Sequence, residues 1–168
     1  MKAKDTHTEQ LEIAIVGAGF SGLYMLHKAR ALGLSARLFE AADGVGGTWY
    51  WNRYPGARVD VESHEYSYSF SRELEETWNW SERYAAQPEL LRYLNHVADR
   101  FDLRRDIRLE ALVTSAVFDE AVHRWTVTTD KGDRISARYC VMATGCLSVP
   151  KKIDIPGAET FEGETYNT

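Results

Sequence analysis

The run Gly17-Ala18-Gly19-Phe20-Ser21-Gly22 constrains this chain more than any other feature, because of what stands on either side of it. Before it, Ile13-Ala14-Ile15-Val16 is a short apolar run of the kind that forms a buried parallel strand. After it, from Ser21 to Leu32, Leu23, Leu26 and Ala29 or Arg30 fall at helical spacing, and Gly33 supplies a C-terminal stop. Ala36 to Glu40 reads as a second strand. A strand, a glycine turn, a helix and a second strand in this order form the first unit of a dinucleotide-binding fold. The first glycine permits the tight turn, the second admits close approach of a pyrophosphate, and the third lets helix and strand pack closely. The helix N-terminus offers free N–H groups and the positive end of its dipole to the phosphates. Glu40 closes the second strand eighteen residues after Gly22. A carboxylate there accepts hydrogen bonds from ribose hydroxyls and repels a 2′-phosphate, which favours FAD or NAD over NADP at this site.

The remaining sequence extends the same architecture. Ala41 to Asn79 is an aromatic loop region without clear periodicity. Gln87-Pro88-Glu89 opens a strong helix with the apolar stripe Leu90, Leu91, Leu94, Val97, Ala98 and Phe101. Ile107 and Leu109 suggest a third parallel strand. A β-meander follows: Val113, Ser115 and Val117 alternate with Thr114, Ala116 and Phe118, then Trp125, Val127 and Thr129 share one face. Asp130-Lys131-Gly132-Asp133 is a turn signal, and Arg138 to Ala143 reads as a fourth core strand ending in Thr144-Gly145. The expected fold class is therefore α/β: a Rossmann-like domain with a parallel sheet, helices on its faces and a β-meander inserted before the last core strand. Residues 1–10 are expected to be a disordered lead-in and 11–148 the domain. Residues 149–168, punctuated by Pro and Gly, are expected to be a linker.

With 168 residues, 44% of them hydrophobic and 27% charged, the chain is large enough for one domain with a real core. A net charge of −5 with no offsetting Lys/Arg cluster argues against a nucleic-acid partner. No apolar run approaches the roughly 20 residues that span a bilayer, so no membrane role is expected. Met1 to Gln10 lacks the apolar core of a secretion signal. Cys140 and Cys146 are too few for a disulfide framework and lack metal spacing. His27, His64, His96 and His123 form no metal-like cluster. No metal and a cytoplasmic location are the corresponding expectations.

A second run, Gly46-Gly47-Thr48-Trp49-Tyr50-Trp51-Asn52-Arg53-Tyr54-Pro55-Gly56-Ala57-Arg58-Val59-Asp60, distinguishes among dinucleotides. An NAD-only dehydrogenase has no need of a glycine pair just after its acidic residue, whereas paired glycines let a loop pass close to a bulky ligand. Trp49 and Trp51 are placed to wall an isoalloxazine ring. Tyr50 and Tyr54 read more simply as core or interface aromatics. From its residue type alone, Asp60 is a turn residue of a Gly/Pro loop, Arg58 a solvated charge and Tyr66 a half-buried aromatic.

This run, together with Ala143-Thr144-Gly145-Cys146-Leu147-Ser148, Trp78-Asn79-Trp80, Arg83-Tyr84-Ala85 and the Gln87-Pro88-Glu89 helix start, resembles the N-terminal part of Baeyer–Villiger flavin monooxygenases. The likeness is to the phenylacetone, steroid and cyclohexanone monooxygenase type and runs from about Leu11 to the last residue. The resemblance implies a glutathione-reductase type of FAD domain with strand order 3-2-1-4. It implies FAD as bound cofactor, NADPH as reductant with a site mostly outside this chain, and conversion of ketones to esters or lactones with O2.

Residue by residue, the resemblance assigns Gly17, Gly19, Gly22 and Glu40 to the adenine–ribose end of FAD and Phe20 and Ser21 to the pyrophosphate. It places Gly47, Thr48, Trp49 and Trp51 on the flavin side, Asp60 and Tyr66 towards the isoalloxazine region, and Val113 at the adenine. Gly145 joins the cofactor-binding set. Arg58 and Asp60 fall near the docking place of NADPH, with Asp60 the catalytic candidate through its positioning of an active-site arginine.

Two positions depart from the family pattern: Asn167 stands where a fingerprint His is expected, and Cys146 where close relatives carry a glutamine. There is no second G-x-G-x-x-G for an NADPH domain. The expectation is therefore a C-terminally incomplete FAD domain, inactive alone, with a complementing C-terminal half as a partner. The alternatives are a non-catalytic FAD-binding fragment or remnant and, less favoured, an N- or S-oxygenating flavin monooxygenase.

Overall fold

The computed structural model describes residues 8–166. Asn167 lies outside the described residues, as do Met1–His7 of the expected lead-in. Strand β1 (Glu9–Val16) enters the glycine turn, helix α1 (Phe20–Ala31) leaves it, and β2 (Ala36–Phe39) returns beside β1. The aromatic region contains two short helices, α2 (Thr48–Trp51) and α3 (Arg72–Thr77). Then come α4 (Gln87–Arg100), the two-residue β3 (Ile107–Arg108), β4 (Val113–Asp119), β5 (Arg124–Thr129) and β6 (Arg134–Met142).

Ordered as Glu9–Val16, β1 starts inside the stretch expected to be a disordered lead-in. The cause is charge pairing across the strands. Glu9 carries one carboxylate oxygen 2.9 Å from the Arg37 guanidinium and the other 2.6 Å from that of Arg108, so β2 and β3 hold the beginning of β1 in place. At the other end of the chain, Val149–Tyr166 is irregular apart from one 3-10 turn at Ala158–Thr160.

The strand order is β3-β2-β1-β6-β5-β4. β3, β2, β1 and β6 are mutually parallel, which is the expected 3-2-1-4 order with β6 as the fourth core strand. The meander strands β4 and β5 precede that strand, as expected, and share it. β6 is nine residues long and begins at Arg134 instead of Arg138. Its early residues pair antiparallel with β5 (Trp125↔Ala137 to Thr128↔Arg134), while β1 runs parallel to it from Glu9↔Ile135 to Val16↔Met142. One strand thus closes the meander and completes the parallel core, because the turn at Asp130–Asp133 launches it directly.

Two clusters occupy the two faces of the sheet. On one, α1 and α4 bury Leu23, Leu26, Leu90, Tyr93, Leu94 and Val97 against Ile13, Ile15 and Leu38. Tyr93 belongs to the buried stripe of α4, whereas Leu91 and Phe101 lie at its margins. On the other face, Val127, Ile135 and Ala137 meet Leu11, Ala14 and Phe39. Leu11 and Ala14 both belong to this cluster, and beside them the N–H groups of Glu12 and Ile13 both donate to the Ser35 carbonyl at 3.0 Å.

Candidate functional site

The C-terminal ends of β1, β2 and β6 surround a cleft of about 520 Å³ at the N-terminus of α1. This is where ligands sit in parallel α/β sheets. Gly17, Ala18, Gly19, Phe20 and Ser21 form its floor. Gly19 is the N-cap of α1 and provides no side-chain cap, and the first turn carries no acidic residue. The Ser21 N–H forms no hydrogen bond among the described residues. An uncapped helix start with free donors facing a cavity is suited to an anion.

Glu40 is buried at 6% exposure. Its Oε2 accepts the Ala18 N–H at 2.7 Å and its Oε1 accepts the Ala42 N–H at 2.9 Å. Each oxygen retains acceptor capacity, so the carboxylate can brace the glycine turn and still receive hydroxyl donors.

The opposite wall is Gly46, Gly47, Thr48, Trp49, Trp51 and Tyr66. Trp49 is buried, its Nε1–H donates to the Tyr66 hydroxyl at 3.2 Å, and the two rings meet edge-on at 5.7 Å. Trp51 is 47% exposed at the mouth. Val113, Thr144, Gly145 and Ser148 complete the rim.

The glycines have separable reasons. A Cβ on Gly22 would fall 1.8 Å from the Gly17 carbonyl oxygen, the tight helix–strand approach expected of the third glycine. Gly17 has a φ of +103°, and its Cβ would lie 2.5 Å from the Ala143 oxygen. Gly47, expected to be small for the sake of a ligand, is first of all packed on the phosphate turn: a Cβ there would lie 2.7 Å from Gly19 Cα. Gly46 would drive a Cβ to 2.6 Å from Leu91 Cδ1, and its N–H donates to the Ala18 carbonyl at 2.9 Å. The two glycine runs are thus one structure, joined backbone to backbone.

Of the residues singled out from sequence, the fold gathers Gly17, Gly19, Phe20, Ser21, Glu40, Gly47, Thr48, Trp49, Trp51, Tyr66, Val113 and Gly145 around the cleft. Gly22 lies behind its floor. Arg58 and Asp60 are not among the lining residues. Arg58 donates to Glu82 at 3.0 Å and to the Tyr84 carbonyl at 3.1 Å, and Asp60 is exposed on the same loop. Tyr50 and Tyr54 are not core residues: Tyr54 is 39% exposed, and Tyr50 donates its hydroxyl to Asp43 at the surface, a bond that raises its pKa.

Several supports carried no sequence signal. Buried Gln87 donates its side-chain amide to the Trp49 carbonyl, tying α4 to α2. Asn52 donates to the carbonyls of Thr48 at 3.0 Å and Leu147 at 2.9 Å, tying α2 to the loop after β6. The Tyr68 hydroxyl donates to the Phe20 carbonyl at 2.6 Å, and the Tyr68 N–H donates to the Tyr93 hydroxyl at 2.8 Å. Tyr93 was within reach of sequence reasoning, since it stands three residues after Leu90 on the apolar stripe. Burial raises the pKa of Tyr68 and pushes that of Tyr93 up to about 12, so both hydroxyls keep their protons.

Cys146 is exposed, and burial pushes the half-buried Cys140 thiol up. Among the described residues no cluster of His, Cys, Asp and Glu is arranged to hold a metal, and no helix is long and apolar enough to cross a membrane.

The profile of the pyridine nucleotide-disulphide oxidoreductase family matches residues 14–168. The chain is 51% identical over 161 residues to an acetone monooxygenase (methyl acetate-forming) of Gordonia sp. (strain TY-5), covering 96% of this chain and 30% of that protein. It is 50% identical over 165 residues to the phenazine N-monooxygenase PhzNO1 of Lysobacter antibioticus, covering 98% of this chain and 30% of that one. Among solved structures, an oxidized steroid monooxygenase bound to NADP superposes with a TM-score of 0.81 at 66% identity, covering 82% of this chain and 26% of that one. The chain therefore spans about 30% of the length of the curated relatives it matches.

Proposed function

Because the chain belongs to the pyridine nucleotide-disulphide oxidoreductase family, we propose that it is the FAD-binding portion of an NADPH- and O2-dependent monooxygenase that oxidises ketones to esters or lactones. The observation that carries this reading is the cleft itself. It combines an uncapped helix start, a buried carboxylate on the adjacent strand end, and an aromatic wall packed on the glycine turn. Those are the requirements of a pyrophosphate, a ribose and a planar ring in that order. The cleft fits FAD on these grounds, and a Cβ added at Gly19 would meet only Gly47, at 3.4 Å, so the rest of that side of the turn is open to a phosphate.

In this reading the Ser21 N–H and its neighbours at the α1 start bind the pyrophosphate. Glu40 receives ribose hydroxyls, Val113 lies at the adenine, and Trp49, Trp51 and Tyr66 flank the flavin. Bound FAD supplies the redox and oxygen chemistry, while the protein orients it and limits water access. Arg58 and Asp60 stay in the proposal as residues near a reductant site completed by sequence outside this chain. Asp60 is the catalytic candidate through the positioning of an active-site arginine. The proposed domain ends near residue 148, with 149–168 leading towards an NADP-binding domain and a complementing C-terminal half as partner. A cytoplasmic setting accompanies the reading.

A second reading, an N-oxygenating monooxygenase, is favoured by the 50% identity to a phenazine N-monooxygenase. Both readings use the same FAD-side cleft and differ in the substrate.

The test is direct. The purified chain is incubated with FAD, desalted, and its visible absorption spectrum recorded. A retained, resolved flavin spectrum supports the reading; a colourless, folded protein removes FAD binding from this chain.

A further inference from the structure

The start of α1 has no internal reinforcement: no side-chain cap and no acidic residue in its first turn. It is held from outside: Glu40 and Gly46 hold Ala18 just before it, and Tyr68 holds Phe20, its first residue. The Tyr68 hydroxyl donates to the Phe20 carbonyl at 2.6 Å across 48 residues of sequence. Tyr68 is itself fixed, since its N–H donates to the Tyr93 hydroxyl at 2.8 Å and Tyr93 is buried on α4. The Phe20 ring is caged at the same place, with ring centroids 4.9 Å from Tyr66, 5.0 Å from Tyr68 and 6.1 Å from Tyr93.

The Phe20 carbonyl and the Ser21 N–H belong to one planar peptide unit. A second donor on that carbonyl, beside the i+4 N–H of the helix itself, helps to fix the orientation of that plane. It also polarises the unit, making the N–H a stronger donor. Ser21 lines the cleft, and its N–H has no hydrogen-bond partner among the described residues.

We infer that Tyr68 is a positioning residue for the phosphate-binding turn: its hydroxyl orients the Phe20–Ser21 peptide so that the Ser21 N–H meets a nucleotide diphosphate. The inference rests on the dinucleotide reading of the cleft. It adds a contact that runs from the α4 core through Tyr93 and Tyr68 to the anion site. Trp49 is connected to the same cage by its hydrogen bond to Tyr66, so the flavin wall and the phosphate floor share one aromatic scaffold.

The experiment compares the whole chain with its Tyr68→Phe and Tyr93→Phe variants. Titration calorimetry measures affinity for ADP and for FAD, thermal unfolding is followed without ligand, and the Ser21 amide is observed by 15N–1H NMR. Tyr68→Phe is expected to weaken ADP and FAD by the same factor, about five- to tenfold, the loss of one hydrogen bond. It should also shift the Ser21 amide resonance. Tyr93→Phe, which removes the acceptor of the Tyr68 N–H, is expected to lower the unfolding temperature and to weaken ADP in the same direction by a smaller factor than Tyr68→Phe, because the Tyr68 hydroxyl itself remains.

Equal ADP affinity in wild type and Tyr68→Phe, with an unmoved Ser21 resonance, overturns the inference and leaves the FAD reading intact. A folded wild type that binds neither ADP nor FAD overturns the FAD reading, and this inference with it. Should Tyr68→Phe fail to fold, hydrogen exchange on the wild type decides. ADP that protects the Tyr68 amide along with the α1 start supports the coupling, and protection confined to the α1 start overturns it.

Discussion

The two glycine runs look alike in sequence and work differently. Gly17–Gly22 is mainly a local device: Gly22 answers to the Gly17 carbonyl at 1.8 Å within the turn, and only Gly17 reaches further, to the oxygen of Ala143 just after β6, which a Cβ would meet at 2.5 Å. Gly46–Gly47 is a tertiary device, answering to Gly19 and to Leu91 of α4. The first run makes a helix start available to an anion. The second brings an aromatic wall close enough to that start for both to line one cleft. The lesson is that a glycine near a ligand site need not be there for the ligand. A close crossing of two backbones has the same requirement, and here one crossing builds the site.

The largest effect is expected at Gly22. A methyl group there falls 1.8 Å from a backbone oxygen that cannot move without unseating β1. Gly22→Ala is expected to destabilise by about 3 kcal/mol or more, read as a large fall in denaturation midpoint or loss of soluble protein. A variant that folds normally would show the helix–strand approach to be looser than described.

Gly47→Ala tests the tertiary device. Its φ of +54° with ψ of −121° is a backbone conformation that side-chain-bearing residues rarely adopt, so backbone strain and the 2.7 Å approach to Gly19 act together. The expected loss is about 2 kcal/mol in chemical denaturation, accompanied by weaker FAD retention because the two walls are pushed apart. Loss of stability with unchanged FAD affinity would separate the crossing from the site.

Gly145→Ala sharpens the contrast as a conformational control. Gly145 has a φ of +69° with nothing within 4 Å of a Cβ. Only backbone strain applies, and a cost of about 1 kcal/mol is expected.

The smallest effect lies at the remote part of α1. His27 stacks on Phe70 at 4.3 Å, and its pKa is lowered first by burial and then by the nearby positive charges of Lys28 and Arg30. The folded state therefore binds a proton less readily than the unfolded chain, whose His titrates near 6.5. This contribution to stability is complete above that pH and is lost as pH falls through the lower folded value. Denaturation midpoints measured from pH 7.5 to 5 should decline more steeply for wild type than for His27→Gln. Parallel curves would dismiss the effect.

Much of the fold was legible because it is written in short-range patterns. The apolar run at 13–16, the glycine turn, the acidic residue at 40 and the proline-led helix at 87 each specify a local conformation, and the parallel order follows from chaining such units. The aromatic region was not legible. Its helices α2 and α3 are four and six residues long, too short for a 3.6-residue period to show. The site was legible where a residue's chemistry announced itself, as with Glu40, and illegible where a side chain acts through a distant backbone atom. Gln87 on the Trp49 carbonyl, Asn52 on the Leu147 carbonyl and Tyr68 on the Phe20 carbonyl are all of this second kind. Any backbone carbonyl can accept such a bond, so no residue type at the receiving end marks the pairing.

By itself, then, the sequence determined that a strand, a turn and a helix would present free N–H groups beside a carboxylate, because steric and hydrogen-bonding preferences over a few residues suffice for that. Only the tertiary structure decided that Gly47 would lie on Gly19, that β6 would close both the meander and the parallel core, and that Tyr68 would hold the peptide before Ser21. Those are contacts between segments tens of residues apart. Their partners are chosen by which surfaces pack best once the core has formed.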